Sequence, residues 1–467
     1  MRIAVPSTIE PPEELGAVHF VGLGGAGLSA IARLMLARGV PVSGSDAQPS
    51  AVLDALARDG AVTHVGHHAD HLGGVSTVIA STAVRDDNPE IVEALRRGLR
   101  LWPRSAGLRS VMDGHTTVAV AGTHGKTTTT AMLTCALVGA GVDPSFAIGA
   151  EVASLGANAR RGTGEVLVAE ADESDGAFLV YHPAAAVVTN VDADHLDTWG
   201  TEEAYAAAFT EFIGTVAEFV VLSADDPGAR ALAAPAAERG LEVLLAGFAD
   251  DAEVRGTDVV VDGTRSTFTA WRGRERLGPV ELAVPGDHYV QDALMALAAG
   301  LRLGADPHGL VAGLATYTGA HRRMQPLGEV AGVRVYDSYA HHPTEIRADL
   351  AAARQVAGDD RLVVAFQPHL VSRTRIFGAA MGAELSAADL VVVADLYLAR
   401  EDPDPQVGAE LVADAVVGVP VLLGGAVADL PALLLDHLRP GDLLLTLGAG
   451  DITTAGPVVL DLLRARA

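Results

Sequence analysis

One stretch of the chain constrains its fold and chemistry more than any other. An apolar run from Val118 to Ala121 leads into Gly122, Thr123, His124, Gly125, Lys126, Thr127 and Thr128, called the phosphate loop below. The run predicts a buried strand, the glycines permit a tight turn, and the residues after Gly125 begin a helical pattern. The usual G-x-x-x-x-G-K-[ST] pattern has glycine where this chain has Val120.

The phosphate loop has the groups that a bound phosphate needs. Backbone N–H groups in such a turn, and at the start of the helix, point at an anion. The Lys126 ammonium can reach terminal phosphates, and the Thr127 hydroxyl can bind Mg²⁺. The stretch therefore predicts a nucleotide-phosphate site, and an ordinary glycine turn is the alternative.

Another glycine-rich stretch, called the first glycine loop below because it comes earlier in the chain, lies near the N-terminus. A predicted strand from Val18 to Val21 precedes four glycines, and a helical pattern follows from Leu28 to Arg38. The glycines are Gly22, Gly24, Gly25 and Gly27. Asp46 follows the next predicted strand, where a dinucleotide fold places an acid on a ribose hydroxyl. The stretch predicts nucleotide binding, and a turn needed only for helix–strand packing is the alternative.

Composition limits the class of protein. A length of 467 residues suggests about three domains. The net charge of −26 argues against a nucleic-acid footprint or attraction to anionic lipid. The sequence has neither a signal-peptide pattern nor an apolar run long enough for a membrane helix, so we expect a cytoplasmic protein. The single cysteine, Cys135, is predicted to pack in a core.

Strand and helix patterns alternate along the chain and predict an α/β fold with parallel sheets. The first domain should end near Leu108, before the phosphate loop begins a second one. The last third repeats the alternation and predicts another doubly wound sheet.

Three charged groups follow predicted strands. The segment Glu170–Asp175, called the acidic segment below, carries four carboxylates within six residues, which predicts a bound Mg²⁺; a solvated turn is the alternative. His195 lies among acids and is either a metal ligand or a structural residue. Arg322 and Arg323 suit a triphosphate, and surface decoration is the alternative.

Taken in order, these stretches resemble the Mur ligase family over nearly the whole chain. The resemblance also rests on Asp194-His195, Asp337 with His341-His342-Pro343-Thr344-Glu345, Phe366-Gln367-Pro368-His369 and Gly448-Ala449-Gly450-Asp451. It implies three domains: a Rossmann-like UDP-sugar-binding domain over 1–108, a central ATP-binding domain with a parallel sheet over 109–317, and a Rossmann-like amino-acid-binding domain over 318–467.

The resemblance implies a reaction between small molecules. ATP would phosphorylate the carboxylate of UDP-N-acetylmuramate, and L-alanine would then displace the phosphate, as in peptidoglycan precursor synthesis. We expect a monomer or weak homodimer with no nucleic-acid or membrane partner. The alternatives are a ligase that adds a preformed tripeptide, an NAD-dependent oxidoreductase, and a nucleotide-binding protein that has lost activity.

The resemblance also implies roles for individual residues. Lys126 would hold the transferring phosphate, Thr127 and Glu170 one Mg²⁺, and His195 a second. Arg322, Arg323 and Asp337 would contact the nucleotide. The candidates for orienting alanine or the intermediate are His341, His342 and Arg373.

Two positions depart from the family pattern. Asp292 stands where family members usually have an Asn whose amide can both accept from and donate to adenine, whereas an ionised carboxylate only accepts. Ser338 replaces the second of two paired acids. These departures leave the phosphate and metal groups in place, so we expect an active ligase.

Overall fold

The computed structural model describes residues 3–399 and 401–466, which form an α/β structure with three sheets. The chain divides into two compact units. The first comprises Met1–Thr257, Thr269–Val280 and Gln291–Tyr317, and the second Asp258–Phe268, Glu281–Val290 and Thr318–Ala467. Each unit is described by itself.

The N-terminal sheet has the strand order β3-β2-β1-β4-β5, with every neighbouring pair parallel. Its strands are β1 (Val18–Val21), β2 (Val42–Asp46), β3 (Val62–Val65), β4 (Thr77–Ala80) and β5 (Arg100–Pro103). The helices are α1 (Ala26–Ala37), α2 (Ala51–Arg58), α3 (Pro89–Arg97) and α4 (Arg104–Met112), with 3₁₀ turns at Pro12–Glu14 and Ala69–Leu72. The predicted alternation of strand and helix is confirmed here.

The central sheet has the order β15-β14-β13-β12-β11-β10-β6-β9-β7-β8. Its strands are β6 (Thr116–Ala121), β7 (Ser145–Val152), β8 (Ala157–Arg160), β9 (Val166–Glu170), β10 (Ala185–Val188), β11 (Phe219–Ser223), β12 (Glu242–Gly247), β13 (Val254–Asp262), β14 (Arg265–Arg272) and β15 (Glu275–Leu282). The accompanying helices are α5 (Lys126–Gly139), α6 (Leu196–Trp199), α7 (Glu202–Ile213), α8 (Pro227–Ala231), α9 (Ala233–Glu238), α10 (Asp287–Arg302) and α11 (Pro307–Leu314), with a 3₁₀ turn at Ala177–Val180.

The run that predicted a buried strand forms the middle of this sheet. Val118–Ala121 of β6 is fully buried, and β6 lies between β9 and β10 with both pairs parallel. Helices cover such a sheet on both faces, so its strands are continuously apolar. Cys135 on α5 is 1% exposed, which confirms core packing. The predicted parallel sheet is confirmed around β6, and the sheet also has an antiparallel pair, β7 and β8, at one edge.

The C-terminal sheet has the order β16-β17-β21-β18-β19-β20 and is parallel except for the β16–β17 hairpin. Its strands are β16 (Gln325–Val330), β17 (Val333–Ser338), β18 (Leu362–Phe366), β19 (Leu390–Ala394), β20 (Val421–Gly425) and β21 (Leu443–Leu447). The helices are α12 (Pro343–Ala357), α13 (Val371–Leu385), α14 (Glu410–Ala413), α15 (Leu430–His437) and α16 (Ala455–Arg466), with 3₁₀ turns at Val427–Asp429 and Asp451–Thr454. Apolar side chains from both faces of this sheet form two cores.

Across the described ranges, we find no helix with both the length and the apolar character needed to cross a bilayer. The predicted domain boundaries at 108/109 and 317/318 stay predictions.

Candidate active site

The phosphate loop connects the end of β6 to the start of α5, as predicted. Gly122 and Gly125 have φ angles of +135° and +79°, a region that side chains other than glycine rarely adopt. A Cβ at Gly122 would also lie 2.0 Å from Thr189 Oγ1. The loop therefore needs glycine at these two positions, for backbone and for space.

Lys126 lies in the first turn of α5 with its ammonium folded back over the loop. Its Nζ donates to the carbonyl oxygens of Gly122 (2.7 Å) and Thr123 (3.0 Å) and to Glu173 Oε1 (3.0 Å). Burial disfavours the ammonium, but the negative charges of Glu173 and Asp172 outweigh burial and raise the pKa of Lys126. Lys126 is therefore a fixed cation, and it is the only lysine in the sequence.

Thr127 and Glu170, the predicted Mg²⁺ ligands, lie side by side. The parallel register of β6 and β9 aligns Val120 with Glu170, so the carboxylate follows the strand end beside the loop. The Thr127 hydroxyl donates to Glu170 Oε2 over 3.0 Å, and the Gly149 amide donates to the same oxygen over 2.8 Å. A hydroxyl and a carboxylate oxygen in contact are a donor set that Mg²⁺ prefers, so these residues fit the predicted ion.

Glu173 is the residue at this site whose importance the sequence interpretation missed. It is fully buried, and its Oε1 lies 3.7 Å from Nε2 of His195 as well as against Lys126. Burial raises the pKa of Glu173 to about 7, with Lys126 opposing the rise and Asp172 adding to it. Its position within the acidic segment was the available signal, but its choice of partner depends on the fold.

His195 directly precedes α6 and has a left-handed backbone conformation, with φ of +53°. Its Nε2 lies 3.6 Å from Asp194 Oδ2, and its amide donates to Asp194 Oδ1 over 2.7 Å. The ring thus lies between the carboxylates of Asp194 and Glu173, an arrangement that suits a bound cation.

Two residues after β10 hold the phosphate loop from the side. The His124 amide donates to Asn190 Oδ1 (2.8 Å), and Asn190 Nδ2 donates to the His124 carbonyl (3.1 Å). The Thr189 hydroxyl donates to the same carbonyl. Because β10 neighbours β6 only in the folded sheet, the sequence order did not reveal these contacts.

Asp292 lies beneath the phosphate loop and is 7% exposed. The Thr129 hydroxyl donates to Asp292 Oδ1 over 3.0 Å, and a Cβ at Gly125 would lie 2.7 Å from the same oxygen. Thr128, the neighbouring predicted site residue, is buried in the same turn of α5. The carboxylate at this departure from the family pattern is thus placed against the loop itself.

The first glycine loop forms the predicted turn between β1 and α1. Gly22 has φ of +90°, and Gly25 precedes the first residue of α1. The Gly24 amide donates to Asp46 Oδ2 over 2.8 Å, which places this carboxylate beside the loop, as the spacing predicted.

Protein cations neutralise part of the acidic segment. Arg104 Nη2 donates to Asp172 Oδ2 over 2.8 Å and to Asp175 Oδ2 over 3.4 Å, while Lys126 pairs with Glu173. Arg104 and Lys126 thus compensate three of the four carboxylates, and the fourth, Glu170, lies against Thr127. The predicted Mg²⁺ at Thr127 and Glu170 stays a prediction.

In the second unit, Asp337 lies at the end of β17 and is 1% exposed. Its Oδ2 accepts from Arg322 Nε (3.2 Å) and the Thr453 hydroxyl (2.8 Å), and its Oδ1 accepts from the Thr446 hydroxyl (2.7 Å). Arg322 has φ of +58°. The structure thus brings the predicted Arg322 and Asp337 together.

The other predicted residues of the second unit lie near the start of α12. Arg323 Nη1 lies 3.5 Å from Glu345 Oε1, and the His341 amide donates to Glu345 Oε2 over 3.0 Å. His342, 3% exposed, precedes α12 and accepts from the Thr344 amide. Arg373 is buried in the first turn of α13.

Ser338, the second departure, has a carboxylate partner elsewhere in the chain. Its hydroxyl donates to Asp349 on α12. Burial raises the pKa of Asp349 to about 7, with the Ser338 hydrogen bond opposing the rise and Glu345 adding to it. Ser338 is therefore in contact with a carboxylate from α12, on the opposite face of β17 from the Asp337 side chain.

Comparison with known proteins gives family matches along most of the chain. Residues 17–116 match the Mur ligase family catalytic domain, 120–300 the Mur ligase middle domain and 322–450 the Mur ligase glutamate ligase domain. The chain is 58% identical to UDP-N-acetylmuramate--L-alanine ligase of Nocardioides sp., covering 99% of this chain and 100% of the relative. The protein of that name from Kineococcus radiotolerans is 51% identical, with coverage of 98% and 99%.

Solved structures agree in fold. UDP-N-acetylmuramate-alanine ligase MurC from Thermotoga maritima superposes with a TM-score of 0.82 at 28% identity, covering 97% of this chain and 100% of the other. A murein peptide ligase from Psychrobacter arcticus has the same fold, with a TM-score of 0.71 at 24% identity and coverage of 96% and 98%. With the family domains matched in order along the sequence, the chain belongs to the Mur ligase family.

Proposed function

We propose that this protein is an ATP-dependent ligase that joins L-alanine to the carboxylate of UDP-N-acetylmuramate. The names of the two relatives above, which match nearly the full chain at 58% and 51% identity, support the substrates. The observation that carries the chemistry is the phosphate loop with Lys126 held against buried Glu173 and with Thr127 in contact with Glu170.

The reaction takes two steps because a carboxylate has no good leaving group. In the first, a carboxylate oxygen attacks the γ-phosphorus of ATP, the bond to the β–γ bridging oxygen breaks, and an acyl phosphate and ADP form. In the second, the neutral amine of alanine attacks the carbonyl carbon, phosphate leaves with the bonding electrons, and the amine nitrogen loses a proton. Both steps build negative charge on oxygen, which positioned cations and N–H groups stabilise.

In this proposal Lys126 binds the transferring phosphoryl group, and the amides of the phosphate loop bind the remaining phosphate oxygens. Thr127 and Glu170 would hold one Mg²⁺, and His195 would take part in holding a second. When bound, the ions neutralise phosphate charge and orient the phosphate chain. Glu173 orients Lys126, because its carboxylate accepts from the ammonium.

The remaining predicted residues have proposed binding roles. The first glycine loop and Asp46 would bind the UDP-sugar, in a domain over residues 1–108. Arg322, Arg323 and Asp337 would contact the nucleotide, and His341, His342 and Arg373 would orient alanine. The Arg322 guanidinium donates to the Asp337 carboxylate and is held in place by it. This contact supports a binding role for Arg322.

Mass spectrometry of the product tests the proposal. The purified protein is incubated with UDP-N-acetylmuramate, ATP, Mg²⁺ and an equimolar mixture of amino acids, and a parallel reaction contains the L-alanine-headed tripeptide. We expect the sugar nucleotide to gain one alanine residue, with equal ADP release. Selective gain of the tripeptide would favour the murein peptide ligase alternative, and tight sugar-nucleotide binding with no phosphate release would show a protein that has lost activity.

A further inference from the structure

One arginine of the N-terminal sheet reaches across to the acidic segment. Arg104 is the first residue of α4, directly after β5. Its Nη2 donates to Asp172 Oδ2 and to Asp175 Oδ2, over 2.8 and 3.4 Å. The three side chains are 20%, 32% and 24% exposed, so water only partly screens these ion pairs.

The Arg104 side chain also lies against the first glycine loop. A Cβ at Gly27 would lie 3.1 Å from Arg104 Cδ and 3.3 Å from its Nη1. The Arg104 side chain therefore passes directly over the start of α1, and a Cβ at position 27 would require it to shift by a few tenths of an ångström. Arg104 is in this way in contact with both the glycine loop and the acidic segment.

The two carboxylates that hold Arg104 are themselves fixed. Asp172 uses its second oxygen to accept from the Ser174 amide (3.0 Å), and Asp175 uses its own to accept from the Ala177 amide (2.9 Å). Each carboxylate thus joins Arg104 to a backbone amide, one within the acidic segment and one just after it. Since neither can rotate without losing a hydrogen bond, the guanidinium has a defined position.

The acidic segment continues the connection to the phosphate loop. Asp172 is followed by Glu173, which accepts from Lys126. Arg104 is thus paired with Asp172, and the next residue along the chain, Glu173, is paired with Lys126, all within the first unit.

We propose that Arg104 is a positioning residue that holds the first glycine loop and the phosphate loop at the separation catalysis requires, acting through Asp172 and Asp175. The inference rests on the proposed function, in which the glycine loop binds the sugar nucleotide and the phosphate loop binds ATP. Phosphoryl transfer needs the acceptor oxygen and the γ-phosphorus in near-attack geometry, and a small misplacement costs a large factor in rate. Asp172 and Asp175 thereby have a positioning role, whereas the sequence suggested metal binding.

Steady-state kinetics of Arg104→Met tests this role, because methionine keeps the apolar packing over Gly27 and removes the charge. We expect kcat to fall roughly 10–100-fold while KM for ATP and for UDP-N-acetylmuramate stay within about threefold. Arg104→Lys, which keeps the charge, should recover most of the loss. A matched control is Arg161→Met, because Arg161 also reaches the N-terminal sheet's helices, donating to the Ala37 carbonyl at the far end of α1.

A double-variant cycle supplies the second readout. If Arg104 acts through Asp175, then Arg104→Met combined with Asp175→Asn should lose no more kcat than Arg104→Met alone. Should Arg104→Met fail to fold, Asp175→Asn alone must show the fall in kcat with unchanged KM values. Full kcat in the Arg104 or Asp175 variants, equal loss in Arg161→Met, or additive losses would overturn the inference. An inactive wild-type protein would instead overturn the proposed function, and this inference with it.

Discussion

Glu90 and Glu173 are both fully buried carboxylates in the first unit, yet their pKa values shift in opposite directions. Glu90 lies in the first turn of α3, and burial disfavours its charge, but His19, Ser45 and His71 outweigh burial and lower its pKa to about 2. Glu173 depends on Lys126, lies next to Asp172, and has a pKa raised to about 7. Burial disfavours the ionised form of both carboxylates, so the neighbouring groups decide whether each pKa is raised or lowered.

The difference lies in how many donors each carboxylate has to itself. Around Glu90, the Ser45 hydroxyl (2.5 Å) and ring nitrogens of His71 (2.7 Å) and His67 (3.1 Å) all approach the carboxylate. Lys126 instead divides its protons between Glu173 and two loop carbonyls. A carboxylate with many donors is a fixed structural anion, whereas Glu173 has a partner that a phosphate can compete for.

The largest expected effect on activity comes from replacing Lys126, the cation that pairs with Glu173. Lys126→Met removes the positive charge that the transferring phosphoryl group needs, so kcat should fall about 10²–10³-fold, the typical loss of one preorganised charge donor. Phosphate release with saturating substrates measures the change. Retention of more than about a tenth of the wild-type rate would contradict the role given to Lys126.

Replacing each glutamate should change the free energy of unfolding by a different amount. Glu90→Gln removes an anion that several donors share and should lower the free energy of unfolding by about 2–3 kcal/mol. Glu173→Gln resembles the protonated form, which the raised pKa shows to be favoured in the folded state, so at pH 7 it should leave stability unchanged or increase it. Urea unfolding measures both, and Glu93→Gln is a control on the same helix, where Glu93 pairs with Arg96 on the surface. Equal losses at the two sites would remove the distinction.

The pH dependence of these variants has opposite signs. The lowered pKa of Glu90 contributes stability above the unfolded value near 4.5, and that contribution is lost as pH falls toward about 2. The raised pKa of Glu173 works the other way, since stability falls as pH rises from about 4.5 through about 7. Unfolding with chelator present should show wild type losing stability relative to Glu173→Gln between pH 5 and 8. A constant gap across this range would contradict the prediction.

The smallest effect concerns Asp349, a carboxylate that accepts from the Ser338 hydroxyl. Ser338→Asp alone would place two carboxylates together and should destabilise the second unit by about 1–2 kcal/mol at pH 8. Exchanging the two residues, with Ser338→Asp and Asp349→Ser combined, should recover most of this loss because one hydroxyl and one carboxylate remain. Thermal unfolding of the single and double variants measures the recovery, and additive losses would show that the pair is not interchangeable.

Local patterns in the sequence predicted the parts of the site that one segment supplies. The phosphate loop follows from its glycines and Lys126, and Asp46 follows from its spacing after the first glycine loop. Contacts that depend on sheet order were not predictable in the same way. Asn190 reaches the loop because β10 neighbours β6, and Asp349 meets Ser338 only once α12 packs on its sheet.

The edge of the central sheet shows the same limit. The β7–β8 hairpin was missed because its strands contain glycine and charged residues in place of an apolar run. The four carboxylates of the acidic segment suggested metal binding, since nothing local indicated that Arg104 and Lys126 would pair with them. Sequence patterns identify which groups a strand end presents, whereas the partners of those groups depend on neighbouring strands.

Because Lys126 is the only lysine and its ammonium is enclosed by the loop, the protein has a natural spectroscopic label at its proposed reaction centre. Expression with lysine that carries ¹³C at Cε would mark this one side chain without altering its ammonium. The resulting NMR spectrum would contain one side-chain resonance, and its chemical shift would report directly on each nucleotide that reaches the loop.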